Sequence, residues 1–160
     1  MLLAKSCRLT ASVIASDINT EVLKKCSDDI YKASSIRNVD GGIFKYLLEP
    51  YKTQNNSFEF SSDIKKQVSI RQINLSSLST NIDIPTGQNI IFIRNVFIYF
   101  SREMRANILE VLAEKCLEED GYLFVSMNEV ASIDTDITPS VLEKISDGSV
   151  FCFHKKIRRS

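Results

Sequence analysis

Apolar residues along this chain fall into two spacings, an alternation that suits strands and a three-to-four-residue repeat that suits helices. The densest run is Ile90–Phe100 (IIFIRNVFIYF), in which two polar residues, Arg94 and Asn95, interrupt an otherwise apolar segment. Its first half, Ile90–Ile93, is continuous and rich in β-branched residues, as expected of a strand buried on both faces of a parallel sheet. An unpaired guanidinium is costly to bury, so the strand is expected to end at Arg94, where a crevice opens. In open α/β sheets, ligands bind in that crevice at the carboxyl ends of the strands. The plainer alternative is a strand-to-helix junction with an internally paired arginine.

The same reading predicts strands at Ser12–Ser16, Phe58–Phe60, Val68–Ile73, Asn89–Ile93 and Tyr122–Ser126. Helices are expected over Thr20–Ala33, capped by Asn19 or Thr20, and over Ile43–Leu48, stopped by Pro50. A third should run from Ser101 or Arg102 to about Glu118, with Met104, Ile108, Leu112 and Cys116 on one face. Ser101 suits its N-cap and Glu103 its dipole. Met1–Cys7 reads as the closing turns of a helix. Ser61–Lys66 and Glu119–Gly121 read as turns, and Ser76–Gly87 as a loop. The chain closes with Val141–Ile145 pairing with Ser149–His154 across Asp147-Gly148, a favoured hairpin turn. Helices alternating with strands before a terminal hairpin indicate a mostly parallel α/β sheet in a single domain.

Composition narrows the function classes. A net charge of zero lacks the basic excess that phosphate contacts need, which argues against a nucleic-acid partner. No apolar run is long enough to span a bilayer, and Met1–Ala4 is too short for a signal peptide. A cytoplasmic protein without membrane insertion is expected. Cys7, Cys26, Cys116 and Cys152 lie far apart with no CxxC pair, which suits reduced, buried thiols. His154 is the single histidine, so neither a multi-histidine metal site nor a Ser-His-Asp triad is expected. The basic tail His154–Ser160 reads as a solvated terminus.

Three polar sites recur at the carboxyl ends of the expected strands: Asp17, Asn74-Leu75 and Arg94-Asn95. An acidic residue in the first position can accept both hydroxyls of a ribose. Asn74 can bond an adenine edge while Leu75 packs on its face, and Arg94 and Asn95 can donate to a carboxylate. Asp and Asn also end many strands simply as turn formers. Taken together, the three point to a nucleoside-containing ligand.

In their order and spacing, Ala15–Glu21 (ASDINTE), Asn74-Leu75, Ile93–Phe100 (IRNVFIYF) and Gly121–Val125 (GYLFV) resemble the chemotaxis receptor methyltransferases of the CheR type. The resemblance implies an S-adenosylmethionine-dependent protein-glutamate O-methyltransferase with a Rossmann-like class I sheet. It implies cofactor-binding roles for Asp17, Asn74, Leu75, Arg94 and Asn95. Tyr99 would stand close to the methyl-transfer site, and Arg94 and Tyr99 would shape it. Residues 43–73 would contain an inserted small β-subdomain, which in some members docks a receptor tail peptide. The expected partner is the cytoplasmic region of a chemotaxis receptor or its tail peptide.

Ser126–Glu129 (SMNE) stands where the family usually carries Gly-His-Ser-Glu, and keeps only the glutamate. No glycine precedes Gly41, so the family's first strand and its glycine-rich cofactor loop are expected to be missing from this chain, making it a partial methyltransferase domain. The strands ending at Asp17 and Ile93 should then expose open edges, favouring self-association, or pair directly. The alternative function is a non-catalytic remnant that binds a receptor or other partner.

Overall fold

Parallel ladders form where the apolar runs predict them, in two separate places. A computed structural model describes residues 2–27, 30–32, 46–81, 83–130, 133–147 and 150–157. The chain divides into two compact units, Met1–Ile73 and Asn74–Ser160.

In the first unit, β1 (Val13–Asp17) pairs in parallel with β4 (Val68–Gln72), setting Asp17 opposite Gln72. A helix, Thr20–Ser27, follows β1, and Asn19 rather than Thr20 caps it, its Oδ1 accepting the Glu21 amide at 2.9 Å. The helix stops well short of Ala33. Ile30–Lys32 is instead a strand (β2), antiparallel to β3 (Ser57–Glu59). Ile-Tyr fits either spacing, and cross-strand pairing decides it. Tyr31 and Tyr51 pack on Phe60, with ring centroids 5.6 and 5.3 Å apart. The expected helix before Pro50 is present over 46–48 among the described residues and ends at Leu48, giving way to the 3-10 turn Glu49–Tyr51, which holds Pro50 near its start, where a missing amide costs nothing. Ser61–Lys66, expected as a turn, holds the short helix Ser62–Lys65. Only Phe58 and Ile64 are buried hydrophobic residues among the described part of this unit.

The second unit carries the larger core. Its sheet has the order β5-β6-β8-β7: β5 (Gln88–Ile93) is parallel to β6 (Leu117–Val125), which is antiparallel to β8 (Val150–Lys155) and so joined to β7 (Leu142–Asp147). The closing hairpin is therefore present, shifted by one residue: Asp147 sits in the ladder opposite Val150. Helix Arg102–Val111 buries Ile108, Leu109 and Val111, and Ser101 caps it by accepting the Met104 amide at 3.3 Å. A π-helical turn, Leu112–Cys116, ends the helix, so Glu118 belongs to the next strand. Ser76–Gly87 is not loop throughout, because Leu75–Thr80 forms a 3-10 helix whose N-cap is Asn74.

Glu119–Gly121 makes no turn. It bulges from β6, where the register steps from Gln88 opposite Leu117 to Ile90 opposite Tyr122. Asp120 there has φ +63°, and a Cβ on Gly121 would meet the Glu118 carbonyl at 2.8 Å and the Leu117 side chain at 2.9 Å. The expected solvated tail begins as β8: His154 Nε2 lies 2.7 Å from Asp120 Oδ1, and the buried Lys155 donates to the Leu117 carbonyl at 2.7 Å. Of the cysteines, Cys116 and Cys152 are buried, but Cys7 is exposed and Cys26 half-buried. Burial pushes both Cys116 and Cys152 thiols up.

Among the described residues, β1 pairs only with β4 and β5 only with β6. Within its own unit and among the described residues, each has one unpaired edge.

Candidate functional site

β5 ends at Ile93, paired with Val125 at the end of β6, so Arg94 and Ser126 leave the sheet at the same level. Arg94 is exposed, and its guanidinium makes no hydrogen bond or ion pair within the described residues, unlike the internally paired arginine of the plainer reading. Asn95 adopts the left-handed region at φ +58°, turning the chain sharply, and its side chain is exposed. A 3-10 turn, Phe97–Tyr99, follows. Phe97 is fully buried and anchors the turn, while Tyr99 is 79% exposed.

One residue outside the expected set organises this corner. Glu129 is fully buried. Its Oε2 accepts the Asn95 amide at 2.8 Å, and its Oε1 accepts those of Val96 and Phe97 at 2.6 and 2.7 Å. Ser126 Oγ also donates to Oε2. Burial pushes this carboxyl up, but the hydroxyl and the three amides together outweigh burial and hold its pKa below the ordinary value. A sequence signal existed, since Ser126-x-x-Glu129 has the spacing of a capping box. The partners 32 to 34 residues away leave no such trace.

Asn74 and Leu75 belong to the same unit. Asn74 Oδ1 accepts from the Ser76 amide at 3.0 Å and the Ser76 hydroxyl at 2.8 Å, which leaves the carboxamide nitrogen as its unengaged group. Leu75 is half-buried at the start of the 3-10 helix. Asp17 ends β1 in the first unit. Its Oδ1 accepts the Asn19 amide at 2.8 Å and its carbonyl the Ile73 amide at 3.1 Å. Its Oδ2 has no partner among the described residues.

Taken one residue at a time, these groups have recognisable ligand chemistry. A free carboxylate oxygen suits ribose hydroxyls, an unengaged amide suits an adenine nitrogen, and an unpaired guanidinium suits a carboxylate. No grouping of side chains among the described residues could hold a metal ion. No helix among them is long and apolar enough to cross a membrane.

Comparison with known proteins gives this chemistry a family. The profile of the CheR methyltransferase, SAM binding domain, matches residues 1–145. Chemotaxis protein methyltransferase 2 of Vibrio cholerae is 32% identical over 126 residues, covering 76% of this chain and 42% of that protein. The chemotaxis protein methyltransferase of Salmonella typhimurium is 30% identical over 118 residues, covering 73% of this chain and 40% of that protein. The chain thus spans less than half the length of these relatives. In fold it is similar to the putative methyltransferase yhhF from Escherichia coli, with a TM-score of 0.51 at 13% identity, covering 98% of this chain and 71% of that one. The fold is accordingly the Rossmann-like α/β fold of methyltransferases, and S-adenosylmethionine is the family's cofactor. On that profile match, the chain belongs to the CheR methyltransferase family, in its S-adenosylmethionine-binding domain.

Proposed function

We propose that this chain takes part in S-adenosylmethionine-dependent methyl transfer to glutamate carboxylates of chemotaxis receptors. The observation that carries the reading is Arg94 at the end of β5, exposed and unpaired among the described residues, inside the family's RNVFIYF block. Arg94, Asn95, Asn74, Leu75 and Asp17 are the proposed cofactor contacts. Asp17 receives ribose hydroxyls, Asn74 and Leu75 the adenine, and Arg94 and Asn95 the amino-acid end.

S-adenosylmethionine supplies, when bound, a methyl group already activated on a sulfonium. A glutamate substrate is ionised at neutral pH, so no strong general base is required. The residues' task is then orientation: Arg94 and Tyr99 hold the accepting carboxylate in line and exclude water. Calorimetry with S-adenosylhomocysteine tests the reading. Arg94→Ala should weaken binding at least tenfold (about 1.4 kcal/mol) with an unchanged melting temperature, since the exposed guanidinium makes no hydrogen bond or ion pair among the described residues. Heat from the unaltered protein equal to that of buffer would remove the cofactor role.

The β2–β3 pair with its Tyr31, Tyr51 and Phe60 cluster favours a second reading, a module that docks a receptor tail peptide without catalysis. Under that reading the same calorimeter registers the peptide and not the cofactor.

The open edges of β1 and β5 support self-association of two copies. Ile90 and Phe92 on β5 are 53% and 68% exposed, and a flat apolar edge strand is a template for pairing. Size-exclusion chromatography should show a dimer that dissociates on dilution; a monomer at every concentration would count against it.

A further inference from the structure

We infer that Glu129 is a positioning residue of the candidate site, fixing the turn that carries Arg94 and Asn95 off the end of β5. The inference rests on the proposed role of those two residues and names the group that sets them.

Glu129 is the one fully buried carboxylate among the described residues. A carboxylate is not taken out of water without strong compensation, and here much of it comes from three consecutive backbone amides. Successive amides converging on one anion require the chain to curl, and the curl is the left-handed Asn95. That conformation is uncommon for a residue with a side chain, and asparagine tolerates it better than most without being fixed in it. Glu129 therefore selects it, and with it the direction in which Arg94 leaves the sheet. Arg94 makes no ion pair among the described residues, Glu129 included, so Glu129 acts on it through the backbone and not as a counter-ion.

The division of labour between the oxygens is specific. Oε2 serves the Asn95 amide and the Ser126 hydroxyl, and Oε1 serves Val96 and Phe97. Ser126 directly follows β6, and the Glu129 amide in turn bonds the Ser126 carbonyl at 2.9 Å. The end of β6 is thus fastened to the turn that ends β5. A hydrophobic plug of similar volume could fill the space but could not hold three amides.

The test uses the full chain and two readouts, amide hydrogen exchange by nuclear magnetic resonance and calorimetry with S-adenosylhomocysteine. Glu129→Gln keeps one acceptor oxygen but sets a donor against Asn95, so exchange at Asn95 should rise at least tenfold more than at Leu123 or Phe153 in the core strands. Affinity should fall at least tenfold. Glu129→Asp should recover part of both. Should the Glu129 variants fail to fold, Ser126→Ala removes a donor to Oε2 together with a second acceptor of the Asn95 amide, 3.4 Å away, and should alter exchange at Asn95 while sparing Val96 and Phe97. Uniform acceleration at all amides, or altered exchange with unchanged affinity, would overturn the inference. If the unaltered protein binds no S-adenosylhomocysteine, the cofactor reading fails separately, and the exchange pattern alone decides the role of Glu129.

Discussion

Replacing Phe153 by alanine should cost the second unit about 3–5 kcal/mol. Phe153 is fully buried on β8, between Leu123 of β6 and Lys144 of β7, and meets Phe151 edge-on at 5.5 Å. Its neighbours lie on hydrogen-bonded strands and cannot move in to fill the space. The loss therefore combines transfer and cavity terms. At roughly 2–4 °C per kcal/mol for a chain of this length, the thermal midpoint should drop by about 10 °C. The control is Phe92→Ala, whose ring is 68% exposed and stacks only on Phe124; it should cost less than about 1 kcal/mol. Equal losses from the two substitutions would mean that β8 is not the centre of the core.

Acid should weaken the same unit through Glu129. Its pKa in the folded protein is depressed, so the ionised carboxylate contributes stability that is fully present above the unfolded pKa. That contribution is lost as pH falls through the folded pKa, which lies below the ordinary carboxylate value. Glu129→Gln cannot ionise and sets a donor against the Asn95 amide, and near neutral pH it should be about 2–3 kcal/mol less stable. Urea titrations from pH 7 downward should show the two proteins converging as the carboxyl protonates. A constant gap across that range would show that the charge on Glu129 contributes nothing.

How much could be read without coordinates depended on how local each cause is. The ends of β1 and β5 are set by short apolar runs giving way to Asp17 and Arg94, and both lie within one residue of their expected places. The capping of helix Arg102–Val111 by Ser101 is equally local. Its far end is not, because the apolar spacing Ile108, Leu112, Cys116 runs straight through the π-helical turn and hides the boundary. Ile30–Lys32 becomes a strand only because Ser57–Glu59 comes alongside. Asp120-Gly121 has the composition of a turn but forms a bulge, held by His154 and Lys155 from a strand over thirty residues later. Of the expected cofactor contacts, Asp17, Asn74 and Arg94 stood out as polar residues ending apolar runs. Glu129 stood out only as the glutamate kept in Ser126–Glu129, because the amides it holds lie across the sheet and left no sequence trace.

The burial of Lys155 has a consequence for the protein's behaviour as a solute. The sequence carries twenty basic and twenty acidic residues. Among the described residues the core withdraws one of each, Lys155 and Glu129, so the charge presented to solvent remains balanced. Two copies therefore approach one another with almost no net repulsion, and dissolved salt has little to screen. Attraction between exposed apolar groups such as Ile90 and Phe92 then acts unopposed, and temperature rather than ionic strength governs how the protein stays dispersed.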